Sequence, residues 1–241
     1  MSVGKALPGV LSNSFKLLGH VALLMLIILG CSSPSTNPQA KKKTGPAPES
    51  AVKVVDAHIK EYPVDKSDPT WKTRVPRPPA VTYDPNVDYY WFLHTTAGGI
   101  KIKLKPEVAP GHVTSAIYLT RLGFYDGLSF HRIIPKFMVQ GGDPLGNGSG
   151  GPGYRMGGEF SRKARHSKRG VVSAANSGPR TDGSQFFILF GKDAEHLDGK
   201  HTVYGQVVEG MGTLKTLEMY GTETGEPQKL VIIRRAEILE Q

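Results

Sequence analysis

The chain has 241 residues, of which 39% are hydrophobic and 8% are aromatic, a composition typical of a globular protein with one full core plus extensions. The formal net charge of +9 at pH 7 is a moderate excess, and much of it lies at residues 41–43 and 161–169. The single cysteine excludes a disulfide within the chain and any fold that depends on one. A basic cluster such as 161–169 suits nucleic acid, anionic lipid or an acidic client, but we favour a solvated loop and expect no nucleic-acid partner.

Residues 1–30 have the pattern of an export signal. Lys5 and Lys16 precede an apolar stretch at 17–30, which as a helix would span about 21 Å, less than the roughly 30 Å of a bilayer core. Cys31 follows a small residue, Gly30, as in a bacterial lipobox, where the cysteine becomes lipidated. We therefore expect a membrane-anchored lipoprotein that faces the periplasm or the cell exterior. The alternative is a thiol that merely ends an apolar run.

Two proline-rich segments follow. Residues 31–50 contain almost nothing apolar and are predicted to be a disordered tether behind the lipidated cysteine. Residues 51–88 carry some apolar side chains, but their prolines break any long element, and a piece this small rarely folds alone. We expect an N-terminal arm that docks on the main domain.

Residues 89–241 show the regular patterns of a folded domain. Strands are predicted at 89–95 and 99–104, helices at 110–122 and 211–220, and a last strand at 229–239. Short strands without alternating helices favour an antiparallel sheet that closes into a barrel.

Three motifs in this domain predict its function. Residues 130–143 read FHRIIPKFMVQGGD, residues 173–179 read SAANSGP, and residues 183–187 read GSQFF. The run LDGKH at 197–201 and the pair YG at 204–205 follow in order. Together they resemble the cyclophilin family of peptidyl-prolyl cis-trans isomerases, over about residues 89–239. The resemblance implies a mainly β fold, an eight-stranded antiparallel barrel capped by two α-helices.

The resemblance also implies a set of site residues. Arg132 takes the catalytic role, because a guanidinium remains protonated and presents a rigid fork of donors. Gln140 lies near the arginine, and Ala175 with Asn176 aligns the substrate strand. The remaining substrate-binding residues implied by the family are Phe137, Met138, Gly148, Gln185, Phe187, His196, Leu197 and His201. For an isolated arginine, amide or histidine, an ordinary structural role would be the better interpretation.

His196 departs from the family pattern. Many cyclophilins that bind cyclosporin well have tryptophan immediately before the LDGKH run, whereas this chain has histidine. The indole donor and its large apolar face are both replaced by a smaller, more polar ring. We expect catalysis to be retained and cyclosporin binding to be weakened.

Other motifs do not carry a function. Residues 148–153 match the GxGxxG spacing of a dinucleotide site, but Pro152 and the glycines that follow deny it the necessary helix. His94, His112 and His166 lack the spacing and cysteine partners of a metal site. We expect no cofactor and no metal.

The sequence thus predicts an isomerase that turns X–Pro bonds in proline-containing polypeptide clients and assists the folding of exported proteins. The alternative is a proline-peptide binding module or holdase in which turnover is incidental.

Overall fold

The computed structural model describes residues 48–241. The predicted export signal, Cys31 and most of the predicted tether lie outside the described residues. Three α-helices are present in the described part, namely α1 (Ala51–Glu61), α2 (Pro110–Arg121) and α3 (Met211–Met219). The eight strands are β1 (Tyr89–Thr95), β2 (Gly98–Leu104), β3 (Arg132–Ile134), β4 (Met138–Gly141), β5 (Val171–Ala174), β6 (Phe186–Leu189), β7 (Val203–Glu209) and β8 (Ile233–Glu240).

The strands form one strongly curled antiparallel sheet in the order β3-β4-β6-β5-β7-β2-β1-β8. Its two end strands do not form a ladder with each other. Instead, the segment before β3 reaches the start of β8 and the residues just before it. Phe130 N–H donates to Val231 O at 3.0 Å, and Gly127 N–H donates to Ile233 O at 2.8 Å. The predicted mainly β, eight-stranded antiparallel fold is confirmed, as a curled half-barrel.

The first hairpin follows from its residue pattern. Buried and half-buried side chains alternate along β1 from Tyr89 to Thr95, as expected for a strand with one face in the core. The turn into β2 uses Gly98 at φ 130°, a conformation that residues with a Cβ rarely adopt. The predicted strand boundaries at 89–95 and 99–104 therefore match the structure to within one residue.

Helix α2 is buried on all sides. Pro110 begins the helix, where its missing N–H is not needed, and His112 to Thr120 are all buried. A helix that lies on a sheet normally keeps one wet face. This helix has none because the N-terminal arm covers the side that faces away from the sheet.

The arm reaches the core through α1, a third helix that the sequence did not predict. Ser50 caps its N-terminus and accepts the Lys53 N–H at 3.3 Å. Ala51 and Val55 are fully buried in the main core. The prolines that argue against a long element begin only at Pro63, after the helix has ended, so they limit its length and do not prevent it.

The rest of the arm wraps around the domain. The Trp71 ring packs edge-on against Phe124 with centroids 6.3 Å apart, and Lys72 donates to Asp126 O at 2.6 Å. The Val75 N–H donates to Pro152 O at 2.8 Å, which brings the arm to the loop between β4 and β5. Gly153 allows this approach, since a Cβ there would lie 2.7 Å from Thr73 O.

Candidate functional site

Strand register aligns the predicted catalytic residue with the predicted binding residues. Arg132 on β3 lies opposite Gln140 on β4, and Gln140 lies opposite Phe187 on β6. Directly paired residues of antiparallel strands share a face of the sheet. The guanidinium, the amide and the aromatic ring therefore form one row on the outer face of the barrel.

A chain of hydrogen bonds extends from this row. The Arg132 Nη1 donates to Gln140 Oε1 at 3.3 Å, and Gln140 Nε2 donates to Gln185 Oε1 at 2.9 Å. Gln185 Nε2 then donates to the carbonyls of Gly148 and Gly150 at 2.9 and 2.8 Å. These bonds fix the orientation of both amides. Both N–H groups of Gln185 are used, whereas Gln140 keeps one N–H for a ligand.

Beside the row lies a small apolar cluster, separate from the main core. Met138 and Phe187 are buried within it, while Phe137 and Leu197 are partly exposed and pack against it, as does Ala175. We call this cluster the apolar pocket: Met138 and Phe187 are its buried part, and Phe137, Leu197 and Ala175 keep accessible surface. It therefore contains Phe137, Met138, Phe187 and Leu197, the apolar side chains among the substrate-binding residues that the family resemblance implies.

Two histidines edge this pocket. The exposed ring of His196 stacks on Phe137 with centroids 6.2 Å apart. His201 meets Phe187 edge-on at 5.5 Å, and its Nδ1 hydrogen-bonds with Ala174 O at 2.9 Å. The position that departs from the family pattern therefore lies at the mouth of the pocket.

His166 lies behind the pocket, a position that sequence reasoning missed. Its fully buried ring stacks on Phe187 at 5.9 Å and is held by Asp198 Oδ1 at 2.8 Å and Ser173 Oγ at 2.9 Å. Burial lowers the pKa of His166, against the opposing effect of Asp198, so the ring is neutral at pH 7. It braces Phe187 and, through Asp198, the neighbouring Leu197.

A polar cleft of about 720 Å³ continues from the row on the side of the glycine-rich loop. Gln140, Gly148, Ala175, Asn176 and Gln185 line it, together with Thr73 of the arm. The Asn176 side chain is oriented by its Nδ2, which donates to Lys200 O at 3.0 Å. We call this cleft the polar groove; five of the predicted site residues line it. Arg132 is not among its lining residues but hydrogen-bonds to Gln140, while His196 and His201 edge the apolar pocket.

Asp143 organises the glycine-rich wall of the polar groove. Its buried carboxylate accepts the N–H groups of Leu145 at 2.8 Å, Asn147 at 3.0 Å and Gly148. The chain from 148 to 158 then continues without a helix. The loop therefore forms a wall of the groove and lacks the helix N-terminus that a dinucleotide pyrophosphate requires.

The electrostatics of the site centre on Arg132. Its side chain is exposed, and no carboxylate among residues 48–241 forms an ion pair with it. Behind it, burial lowers the pKa of His131, so that this neighbour is neutral at pH 7. Within the row, Arg132 therefore supplies the positive charge.

The other histidines serve structural contacts. His112 lies between Glu159 Oε2 at 2.6 Å and Asp182 Oδ2 at 2.8 Å, and His94 pairs with Glu237. Within the described residues, no group of three or more His, Cys, Asp or Glu side chains is arranged to hold a metal ion.

One face of the barrel carries the apolar pocket, the oriented amides and the exposed Arg132 guanidinium. This arrangement suits a protein that binds an extended polypeptide at a proline. The comparisons agree. The model of the cyclophilin-type peptidyl-prolyl cis-trans isomerase family matches residues 90–238. The chain belongs to this family, and the predicted enzyme class is confirmed.

Relatives and solved structures show how far the similarity extends. The chain is 51% identical over 129 residues to peptidyl-prolyl cis-trans isomerase-like 3 of Gallus gallus, which covers 52% of this chain and 80% of that protein. It is 48% identical over 141 residues to an Arabidopsis thaliana peptidyl-prolyl cis-trans isomerase; this covers 57% of this chain and 24% of that longer protein. A Cryptosporidium parvum cyclophilin-type isomerase solved in the presence of the dipeptide Ala-Pro superposes with a TM-score of 0.59 at 31% identity, over 62% of this chain and 98% of that one.

Proposed function

We propose that this chain catalyses the cis-trans isomerisation of X–Pro bonds, with the Arg132 guanidinium stabilising the transition state and the apolar pocket holding the proline ring. The strongest support is the row in which Arg132 hydrogen-bonds to Gln140 on the neighbouring strand β4, and Gln140 in turn lies opposite Phe187 on β6. The related structure obtained in the presence of Ala-Pro supports a proline dipeptide as the core of the ligand.

The mechanism follows from the amide bond itself. Rotation crosses a barrier of about 18–20 kcal/mol because the partial double bond of the amide is lost at the transition state. The prolyl nitrogen then becomes pyramidal, and its localised lone pair can accept a hydrogen bond. A guanidinium N–H aimed at that nitrogen stabilises the twisted amide and not the planar ground state. No bond is broken and no proton is transferred.

The amides and the apolar pocket bind the parts of the substrate on either side of the rotating bond. Gln140 and Asn176 can bind the backbone on either side of the rotating bond, while the ring of Phe187 and its neighbours hold the pyrrolidine by burying its apolar surface. One part of the substrate is thereby fixed while the other turns. This supplies the orientation that catalysis requires without a nucleophile, metal or titrating acid.

The direct test measures isomerisation of a short Xaa-Pro peptide in a protease-coupled assay. With the full-length protein, Arg132→Ala should lower kcat/KM by roughly 10²–10³, the cost of losing a transition-state donor. Arg132→Lys should recover part of the rate, since the charge returns without the planar fork. Arg234→Ala removes an equally exposed arginine from β8, outside the groove, and should leave kcat/KM unchanged.

Negligible turnover by a folded wild-type protein would overturn the catalytic role and favour the peptide-binding module. Because the proposed mechanism transfers no proton, we also expect kcat/KM to vary little between pH 7 and pH 9. A steep bell-shaped profile in that range would mean that a different group transfers a proton.

We also propose that the protein is exported and lipid-anchored at Cys31, facing the periplasm or the cell exterior, where it acts on exported clients. The support is the sequence of residues 1–31, with basic residues ahead of an apolar stretch that ends at Gly30-Cys31. Slow X–Pro isomerisation limits the folding of many chains, so that such an activity is useful to newly exported proteins. In the part of the chain that the structure describes, no helix has the length and apolar character needed to cross a membrane.

Anchoring is tested by growing cells with a labelled fatty acid. Incorporation into the wild-type protein, and its loss in Cys31→Ser, would support lipidation. A wild-type protein that takes up no label while its leader remains attached would overturn it.

A further inference from the structure

A second, positively charged cleft lies beside the polar groove. It has a volume of about 590 Å³, and its lining includes Arg77, Arg155 and Arg180. The three arginines come from the arm, from the loop after β4 and from the loop between β5 and β6, and each is exposed. We call it the arginine cleft.

The backbones that carry these arginines are anchored. The Met156 N–H donates to Asp182 O at 2.8 Å, in an isolated bridge that ties together the loops bearing Arg155 and Arg180. The carbonyl of Arg77 hydrogen-bonds with His58 Nε2 at 3.1 Å. Because the chain is fixed at these points, less conformational entropy is lost when the guanidiniums bind a ligand.

The arginine cleft has three guanidiniums and one carboxylate, so its net charge is positive. None of the three arginines forms an ion pair within residues 48–241. Glu159 lines the cleft, but its carboxylate is committed elsewhere, since it accepts the N–H groups of Gly111 at 3.0 Å and His112 at 2.9 Å and contacts His112 Nδ1. The cleft therefore favours an anion, and the planar guanidinium fork matches a carboxylate.

The arginine cleft also adjoins the polar groove, because Arg155 lines both. An extended chain advances about 3.3 Å per residue, so that two to four residues beyond a bound proline span roughly 7 to 13 Å. A polypeptide lying in the polar groove can therefore place a nearby side chain among the arginines.

We propose that the arginine cleft selects proline-containing polypeptides that carry aspartate or glutamate two to four residues from the proline. The proposal rests on the isomerase function proposed above and names its substrate preference. Arg77, Arg155 and Arg180 act as specificity residues that bind the flanking carboxylates and take no part in turning the bond.

The test compares three peptides that share one Ala-Pro core. One carries two aspartates before the core, one carries them after it, and the third has asparagine at all these positions. With the full-length protein in low salt, one of the acidic peptides should show a kcat/KM roughly three- to tenfold above the asparagine peptide, mostly through KM, as expected for a few exposed charge pairs. In 1 M salt, where the Debye length is about 3 Å, the ratio should approach one.

Matched variants show whether the preference for acidic peptides comes from the arginine cleft or from the net charge of the whole protein. Arg77→Gln, Arg155→Gln and Arg180→Gln combined should bring the acidic-to-neutral ratio close to one, and lysine at the same three positions should retain most of it. The control is Lys105→Gln, Lys163→Gln and Lys168→Gln, which removes the same charge from residues that line a different cleft. This control should keep the ratio of the wild-type protein.

The outcomes are distinguishable. A wild-type ratio of one, or a ratio that the glutamine variant retains, would overturn the proposal while leaving the isomerase function intact. Absence of turnover on all three peptides would instead count against the isomerase function. Should the glutamine variant lose binding to vesicles containing anionic lipid while its peptide ratio stays unchanged, the cleft would be assigned to a membrane surface and the proposal would be wrong.

Discussion

Alternate residues of strands β4 and β6 point to the inner and the outer face of the sheet, where they pack in the main core and in the apolar pocket respectively. On β6, Phe186 and Ile188 are fully buried in the main core, whereas Phe187 and Leu189 belong to the smaller cluster beside Arg132. On β4, Val139 faces the core. The inner face is closed on all sides, while the outer face remains open at its walls.

This difference explains how a binding pocket stays apolar at a surface. Phe187 is supported from behind by His166 and from the side by His201, so that the ring keeps its position without a closed core around it. The inner residues contribute mainly to the stability of the fold. The outer residues contribute mainly to ligand binding, and substitutions should separate the two.

The largest expected effect is on the free energy of unfolding, when alanine replaces each of the adjacent residues Phe186 and Phe187 in turn. Phe186→Ala leaves a cavity in the main core and should lower the free energy of unfolding by about 3–5 kcal/mol. Phe187→Ala should destabilise the protein less and instead raise KM for an Xaa-Pro peptide by roughly tenfold or more. Denaturant unfolding and peptide turnover, measured on both variants, test the comparison. Equal losses of stability with similar kinetics would show that the two faces are not functionally distinct.

A smaller effect tests whether the arm extends the inner core. Val55 is fully buried, and Val55→Ala should cost about 1.5–3 kcal/mol. Arg121→Ala breaks the exposed double hydrogen bond to Asp56, with both distances at 2.8 Å, and should cost no more than about 1 kcal/mol. Chemical unfolding of both variants supplies the measurement. If Arg121→Ala is the more destabilising change, the arm is held mainly by charge and not by burial.

On the outer face, His196 is expected to control the affinity for cyclosporin. His196→Trp adds an indole over Phe137, supplying the donor and the apolar area that this chain lacks. It should tighten cyclosporin binding by roughly tenfold, about 1.4 kcal/mol, with little change in peptide turnover. Calorimetric titration of the wild-type and variant proteins tests this. Equal affinities would mean that residue 196 does not control cyclosporin binding.

The smallest effect concerns His112, a buried residue of α2 that lies between the Glu159 and Asp182 carboxylates. Burial alone would lower the pKa of His112, but the hydrogen bonds that its ring donates to Asp182 and Glu159 outweigh this effect, so that the pKa is raised. A raised histidine pKa contributes stability that is fully present below the unfolded value of about 6.5 and is lost as the pH rises through the folded pKa. The wild-type protein should therefore lose part of its advantage over His112→Gln as the pH increases.

The measurement is the free energy of unfolding of both proteins between pH 6 and pH 9. Subtracting the two curves cancels other groups, including His166, whose lowered pKa has the opposite sign. A difference that grows with pH would contradict the assignment of a charged His112 between two carboxylates.

Local sequence determined the sheet and the site to a large extent. Alternation along 89–104 predicted the first hairpin, and the ordered motifs from Phe130 to His201 predicted which side chains would meet. These features are readable because strand periodicity puts alternate residues on one face, and because a motif of fixed spacing carries its register with it. Arg132, Gln140 and Phe187 lie in one row for this reason.

Tertiary structure decided the rest. Three features join segments that are far apart in the chain. Helix α1 packs on α2, and His166 stacks on Phe187. Arg77, Arg155 and Arg180 line one cleft. These contacts could not be predicted from residue periodicity, because the sequence of each segment alone is typical of a proline-rich arm or a polar loop. Only the packing of these segments around the barrel brings their side chains together.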